Sequence, residues 1–251
     1  MLRIRMIAMV WQAAWLLASP ALADDRTRCL DPGEALPEQR LTACTSAMEA
    51  EDAGGRRLAV LLNSRGWTYR HTADYGRAVA DFDEAIRVDP AYVVPYLGRG
   101  IGYLRLGEYD AALADFTKAI TLDRWLALAY VGRGETLLEM SDTAIDRAIA
   151  DFNQAIKINP ALPQAFIDRG FAFQRKGALD KAIADYDRAI ALDPSLAAAY
   201  ANRGAAREEK GEHAAARADY EAALALPQKG PGRLRAQDAA RARLAGLPEL
   251  R

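Results

Sequence analysis

The stretch that decides the fold is ALPQAFIDRGFAFQRKGALDKAIADYDRAIALDP, residues 161–194. Phe166, Gly170 and Phe173 recur at helical spacing, Ala182, Tyr186 and Ala189 do so again beyond Gly177, and Pro194 closes the run. This predicts two amphipathic helices, joined at a glycine turn and stopped by a proline. The pattern then recurs along the chain. Five Arg-Gly pairs begin at Arg65, Arg99, Arg133, Arg169 and Arg203, spaced by 34, 34, 36 and 34 residues. Each is followed by an acid and an aromatic: Asp81-Phe82, Asp115-Phe116, Asp151-Phe152, Asp185-Tyr186 and Asp219-Tyr220. A period of this length means stacked helical hairpins. Gly66 and its equivalents lie in mid-helix, where glycine costs about 1 kcal/mol against alanine, so close approach of the paired helix is expected at each.

The pattern resembles the tetratricopeptide repeat, in which a large or aromatic residue, glycine, aromatic, alanine, aromatic, alanine and proline are set along 34 residues. The fourth unit matches throughout. The first has Leu62 in the leading slot, the second Arg124 in place of proline, and the fifth Arg207 in the second aromatic slot. The resemblance implies an all-α protein, an α-α superhelix built as a right-handed solenoid of helical hairpins. It divides the chain into five units at 57–90, 91–124, 125–160, 161–194 and 195–228. Before them, 24–56 reads as a cysteine-containing N-terminal cap or degenerate half-repeat, with Glu38 to Met48 as its second helix. After them, 229–251 reads as a C-terminal capping helix and tail, helical from Leu234 to Leu244. Unlike end caps suit a solenoid, whose terminal units face water.

The chain ends and cysteines bound the compartment. Residues 1–23 read as a signal peptide: Arg3 and Arg5 precede an apolar run from Met6 to Ala18, and Ala21-Leu22-Ala23 is a cleavage signature. Cleavage is expected after Ala23. The run is shorter than the roughly 20 residues a membrane span needs, so no stable membrane insertion is expected after cleavage. Export points to the periplasm, with secretion as the alternative. An exported chain enters an oxidising compartment, where Cys29 and Cys44 are expected to form a disulfide, two buried thiols being the alternative.

Composition narrows the function. Over 251 residues, 51% are hydrophobic and 27% charged, as in ordinary folded, soluble proteins. The formal charge is −1, with no basic block suited to a phosphate backbone, so nucleic acid is not an expected partner. No catalytic constellation is present. His71 and His213 are the only histidines and lie in different units. Gly98, Gly100 and Gly102 lie within a helical pattern and read as packing positions. The chain is expected to be no enzyme and to need no cofactor or metal. The repeated arginines and aspartates lie equidistant from each turn, so an ion pair within each hairpin is expected; the alternative is an arginine ladder for acidic ligands.

The resemblance places function on the concave surface lined by the first helices. One position round from the packing face stand Asn63 and Trp67, then Leu97, Ile101 and Leu104, then Val131, Glu135 and Leu138, then Gln164, Ile167 and Phe171. An exposed stripe this apolar marks contact with a protein or hydrophobic peptide; partial burial by curvature or by the caps is the alternative. The lysine, asparagine and arginine clamp with which some family members hold a terminal carboxylate is not reproduced. The third unit carries two extra residues in its turn, Met140-Ser141-Asp142-Thr143, where Thr143 with Asp146 resembles a capping box with aspartate in place of the usual glutamate; a tolerated surface insertion is the alternative. The expectation is a non-enzymatic protein–protein interaction scaffold or adaptor in the bacterial envelope. Its Ala- and Arg-rich exported repeats resemble periplasmic proteins of Gram-negative bacteria. An assembly chaperone for a secreted or surface component is the alternative, and an enzyme or small-ligand receptor is the least favoured reading.

Overall fold

The computed structural model describes residues 20–31, 35–50, 55–227 and 231–248. Residues 1–19, which carry most of the expected signal peptide, lie outside them. Among the described residues there are no strands, and no helix is long and apolar enough to cross a membrane. Two helices open the chain: α1 (Pro20–Leu30) and α2 (Pro37–Ala50). Five hairpins follow: α3 (Arg56–His71) with α4 (Tyr75–Val88), α5 (Val93–Leu106) with α6 (Tyr109–Leu122), α7 (Ala127–Met140) with α8 (Ile145–Ile158), α9 (Pro163–Arg175) with α10 (Leu179–Leu192), and α11 (Ala197–Glu209) with α12 (His213–Ala225). A last helix, α13 (Pro231–Gly246), packs on both α11 and α12. Each helix packs on its chain neighbours, and first helices touch the first helices of adjacent units, so the chain is an α-α solenoid.

The repeated aromatic is the rivet of the stack. Phe82, Phe116, Phe152, Tyr186 and Tyr220 are all fully buried. Phe116 lies against the glycine of its own hairpin and a glycine of the next: a Cβ on Gly100 would come within 3.0 Å of its ring, and one on Gly132 within 2.5 Å. At that distance a methyl group cannot be accommodated, because a close-packed interior has no slack to take up the overlap. The glycines of the Arg-Gly pairs, with Gly98 and Gly132, are therefore explained by ring contacts within and between units, while Gly102 lies against Val79.

Turns follow from local chemistry. Gly107, Gly177 and Gly211 take a left-handed conformation with φ near +80°, +73° and +80°, ending the first helices of their units. Ala73 occupies the same turn position at φ 60° and has no such freedom. Between units, Asp89, Asp123, Asn159 and Asp193 each accept the backbone N–H two residues on. These Asx turns redirect the chain even after Asp123, where the family proline is replaced by Arg124.

Three local expectations are revised. The Thr143–Asp146 capping box does not form: Ser141 accepts the Thr143 N–H and opens a short 3-10 turn, Asp142–Ala144, while Ala144 precedes α8 without a side-chain cap. The N-terminal cap has a full hairpin partner, because α1 packs on α2 and the two are bridged by a disulfide between Cys29 and Cys44, both fully buried. The C-terminal helix starts earlier than Leu234, since Pro231 suits the first turn of a helix, where its missing N–H is not needed.

Candidate functional site: the concave cavity

The stack is held in register by its arginines. In each repeat the guanidinium makes a fork on the aspartate of the paired helix: Arg99 donates Nε to Oδ2 of Asp115 at 2.8 Å and Nη2 to Oδ1 at 2.7 Å. Arg65–Asp81, Arg133–Asp151 and Arg169–Asp185 repeat this geometry, and Arg203 closes on Asp219. The free Nη1 reaches back to the preceding unit, to Thr45, Asp83, Thr117, Asn153 and Asp187 in turn. Each arginine thus joins its own hairpin and the one before. The charges are spent on structure, and the expected ion pair within each hairpin is present.

The first helices form the concave wall. Of the eleven residues expected there, Asn63, Leu97, Leu104, Val131, Leu138 and Ile167 are buried, each no more than 7% exposed. They form the floor of the groove. Trp67 is turned inward, edge-on to Phe82 with ring centres 5.7 Å apart, its Nε1 donating to Asn63 Oδ1. Phe171 is 42% exposed and Gln164 is exposed; Ile101 and Glu135 are half-buried.

One cavity of about 550 Å³ lies along this wall, and it gathers Leu104, Glu135, Leu138, Gln164 and Phe171 from that stripe. It also takes Arg105, Glu139 and Asp168 from the first helices, Tyr75 and Tyr109 from the starts of α4 and α6, and Arg235 from α13. The floor is apolar and the walls are charged. Asp168 stands at the register position of Gly98 and Gly132, one helix face round from the predicted stripe. Its Oδ1 accepts from Gln164 Nε2 at 2.8 Å, whereas its Oδ2 is sealed from solvent and accepts no hydrogen bond. Glu135 lies within hydrogen-bonding reach of it. Burial, and then the Glu135 charge, push the Asp168 carboxyl well above the usual carboxylate range. Glu135 is also pushed up, by burial, against the pull of Arg105. Two such acids at close range hold one proton between them in preference to two negative charges.

Comparison with known proteins agrees with this architecture. Models described as tetratricopeptide repeats match residues 63–124, 97–163 and 197–229, and a TPR repeat model matches 175–211. The chain belongs to the tetratricopeptide-repeat (TPR) family. No curated protein matches it significantly. Among solved structures, a TPR protein from Parabacteroides merdae superposes with a TM-score of 0.68 at 18% identity, over 89% of this chain and 86% of that one. A thermophilic TPR protein from Thermus thermophilus gives 0.64 at 18%, over 75% and 97%. The protein MamA gives 0.54 at 26% identity, over 66% and 90%. Another, YrrB, is described as a TPR protein with an unusual peptide-binding site; it gives 0.53 at 20%, over 81% and 98%. The family and fold are those of protein–protein interaction scaffolds, whose concave wall is the surface on offer.

For this TPR protein, the helical period locates the groove floor but not its charged rim. Asp168 was detectable as an acid in a register slot that two other units fill with glycine. Tyr75 and Tyr109 open second helices, and Arg235 comes from outside the repeats, so only the folded superhelix brings them to the cavity.

Proposed function

We propose that this TPR protein is an exported, non-enzymatic scaffold of the bacterial envelope that docks a protein or peptide in its concave groove. The observation that carries the reading is the cavity at the middle of the groove, where an exposed Phe171 stands over buried Leu104 and Leu138. An exposed aromatic beside a desolvated apolar floor has the makings of an interface hot spot. Arginines that would otherwise attract acidic ligands are engaged in the hairpin ion pairs, so binding rests on apolar burial and on the cavity's own polar groups. Export rests on the arginine-led apolar segment at the start of the chain and on the paired cysteines. The expected alternative, an assembly chaperone for a secreted component, uses the same groove and differs in releasing its client.

The test is crosslinked capture from envelope extract with the wild type and with Phe171→Asp, both checked for an unchanged melt. Loss of a defined partner from the variant supports the groove. Identical capture by both proteins removes it. Fractionation of cells expressing the tagged chain tests export, and a tag retained in the cytoplasm with an uncleaved N-terminus overturns that part.

A further inference from the structure

We propose that the Glu135–Asp168 pair is the docking point for one basic side chain, an arginine or lysine, of the peptide held in the groove. The inference rests on the groove reading above and adds the chemistry of the ligand. It begins from a charge imbalance. The cavity walls bring three carboxylates, Glu135, Glu139 and Asp168, against two guanidiniums, Arg105 and Arg235. Counted over these lining side chains, with every group ionised, the acids exceed the bases by one.

The shortfall is concentrated at one atom. Asp168 Oδ2 is buried and has no donor, and Glu135 lies within hydrogen-bonding reach of the same carboxyl. A buried acceptor without a partner is unfavourable, and more so when it is charged. Within the chain that need is met by a proton shared between the two acids, since both are acceptors once ionised. The neighbouring cations do not replace it. Arg105 makes no ion pair among the described residues and acts on the two acids only at a distance. Arg70, from α3, also pulls on Glu135 only at a distance. The two arginines of the Asp168 helix are engaged elsewhere, Arg169 on Asp185 and Asn153 and Arg175 on Leu138 O and Asp142. Burial, and next the Asp168 charge, raise the hydroxyl of Tyr186 on α10, which donates to Gln174, and Glu209 on α11 takes a hydrogen bond from Gln174. None of these supplies a donor to Oδ2.

A ligand ammonium or guanidinium on the cavity side of the pair would displace the shared proton to solvent and stand as the counter-charge that lets both acids ionise. The cavity also has the right lining for the stem of such a side chain: Leu104, Leu138 and Phe171 form an apolar passage, and long basic side chains bury their methylenes along apolar surface. A metal ion fits poorly, because no group of three or more ligating side chains occurs among the described residues.

The probes are blocked hexapeptides, acetyl-Leu-Ala-Leu-Arg-Leu-Ala-amide and its citrulline and glutamate twins, with putrescine as a small free cation. Each is titrated calorimetrically into the full mature protein near neutral pH, in two buffers of different ionisation enthalpy. The arginine peptide is expected to bind about tenfold or more tighter than its citrulline twin, with net proton release, and the glutamate twin to bind worst. In Asp168→Asn, checked for an intact melt, the preference for arginine over citrulline should vanish. Equal binding of arginine and citrulline peptides would leave the apolar groove in place and overturn the cation point. Failure of every peptide would overturn both. Putrescine binding as tightly as the arginine peptide would make this a small-cation site and overturn the peptide assignment.

Discussion

Arg133 and Asp151 face each other through two parallel hydrogen bonds, Nε to Oδ2 at 2.8 Å and Nη2 to Oδ1 at 2.7 Å, although 18 residues separate them and only 16 separate the other repeat pairs. The two extra residues are absorbed by the 3-10 turn after α7, and Asp142 in that turn is taken up by Arg175 of the next unit. The fork is therefore the conserved geometry around which the turn adjusts within this chain. Its side chains are 26% and 11% exposed, between the surface and buried cases. Truncating one partner leaves the other charge buried.

Arg133→Ala should destabilise the protein by about 3 kcal/mol, the lower end of the range for breaking a buried pair, or roughly 2–4 °C in Tm for each kcal/mol in a domain of this size. Arg133→Ala combined with Asp151→Ala should lose less than the sum of the two single variants, because the second change removes the stranded charge. A melt unchanged by Arg133→Ala would return this arginine to solvent and reopen its use for ligands.

At Ala73 the first turn contradicts the pattern of the others. Gly107, Gly177 and Gly211 hold the same left-handed turn without a side chain, while Ala73 holds φ 60° with a Cβ, at roughly 1–2 kcal/mol. Ala73→Gly gives back part of that through greater freedom in the unfolded chain. The net expectation is a Tm higher by about 1–3 °C. Calorimetry on the two proteins decides it, and a lower Tm would show that the strain is relieved elsewhere in the α3–α4 turn.

What the residues disclosed before folding depended on how local the cause was. The 34-residue period, the glycine turns and the arginine–aspartate register are properties of one hairpin, so they were legible in 161–194 alone. The ring of Phe116 touching Gly132 of the following unit is not local, yet repetition signals it, because Gly98 has the same contact with Phe82. The cavity is the least legible feature. The apolar stripe supplied its floor, with Leu104 and Leu138. Asp168, Arg105 and Arg235 arrive from three helices whose closeness is set by superhelical curvature, and no spacing in the sequence encodes that. Trp67 has a second role that its place in the stripe did not disclose: half-buried, it also packs edge-on against Phe82.

The N-terminal hairpin depends on its disulfide. Few apolar side chains accompany Cys29 and Cys44 in that cluster: Ala47 and Leu61, with Met48 at its edge. With so small a core, cross-linking across 15 residues should supply about 3 kcal/mol. Cys29→Ser with Cys44→Ser should therefore free α1, and with it the outer face of α2, while leaving the repeats folded. Hydrogen exchange is the direct readout. Fast exchange confined to 20–50 agrees with a stapled cap, and exchange spread into α3 and α4 would mean that the cap supports the first repeat.

Asp168→Asn tests the cavity without a ligand, through stability against pH. An unfolded aspartate titrates near about 3.9. In the folded chain, burial first and the Glu135 charge second raise the Asp168 carboxyl well above that, and Gln164 only partly opposes them. The folded state therefore binds more protons than the unfolded one between these two values. The stability held by the neutral acid is fully present below about pH 4 and is lost as pH rises through the folded value. Asparagine keeps the shape and cannot ionise. The variant and the wild type should thus melt together near about pH 4 and separate as pH rises, with the variant the more stable. Glu135→Gln should behave alike, and the two changes together should gain little beyond one, since removing either charge lets its partner ionise at lower cost. If the wild type stays as stable as Asp168→Asn up to pH 8, the pair is solvated, and the unsatisfied Oδ2 is no longer a reason to expect a cation there.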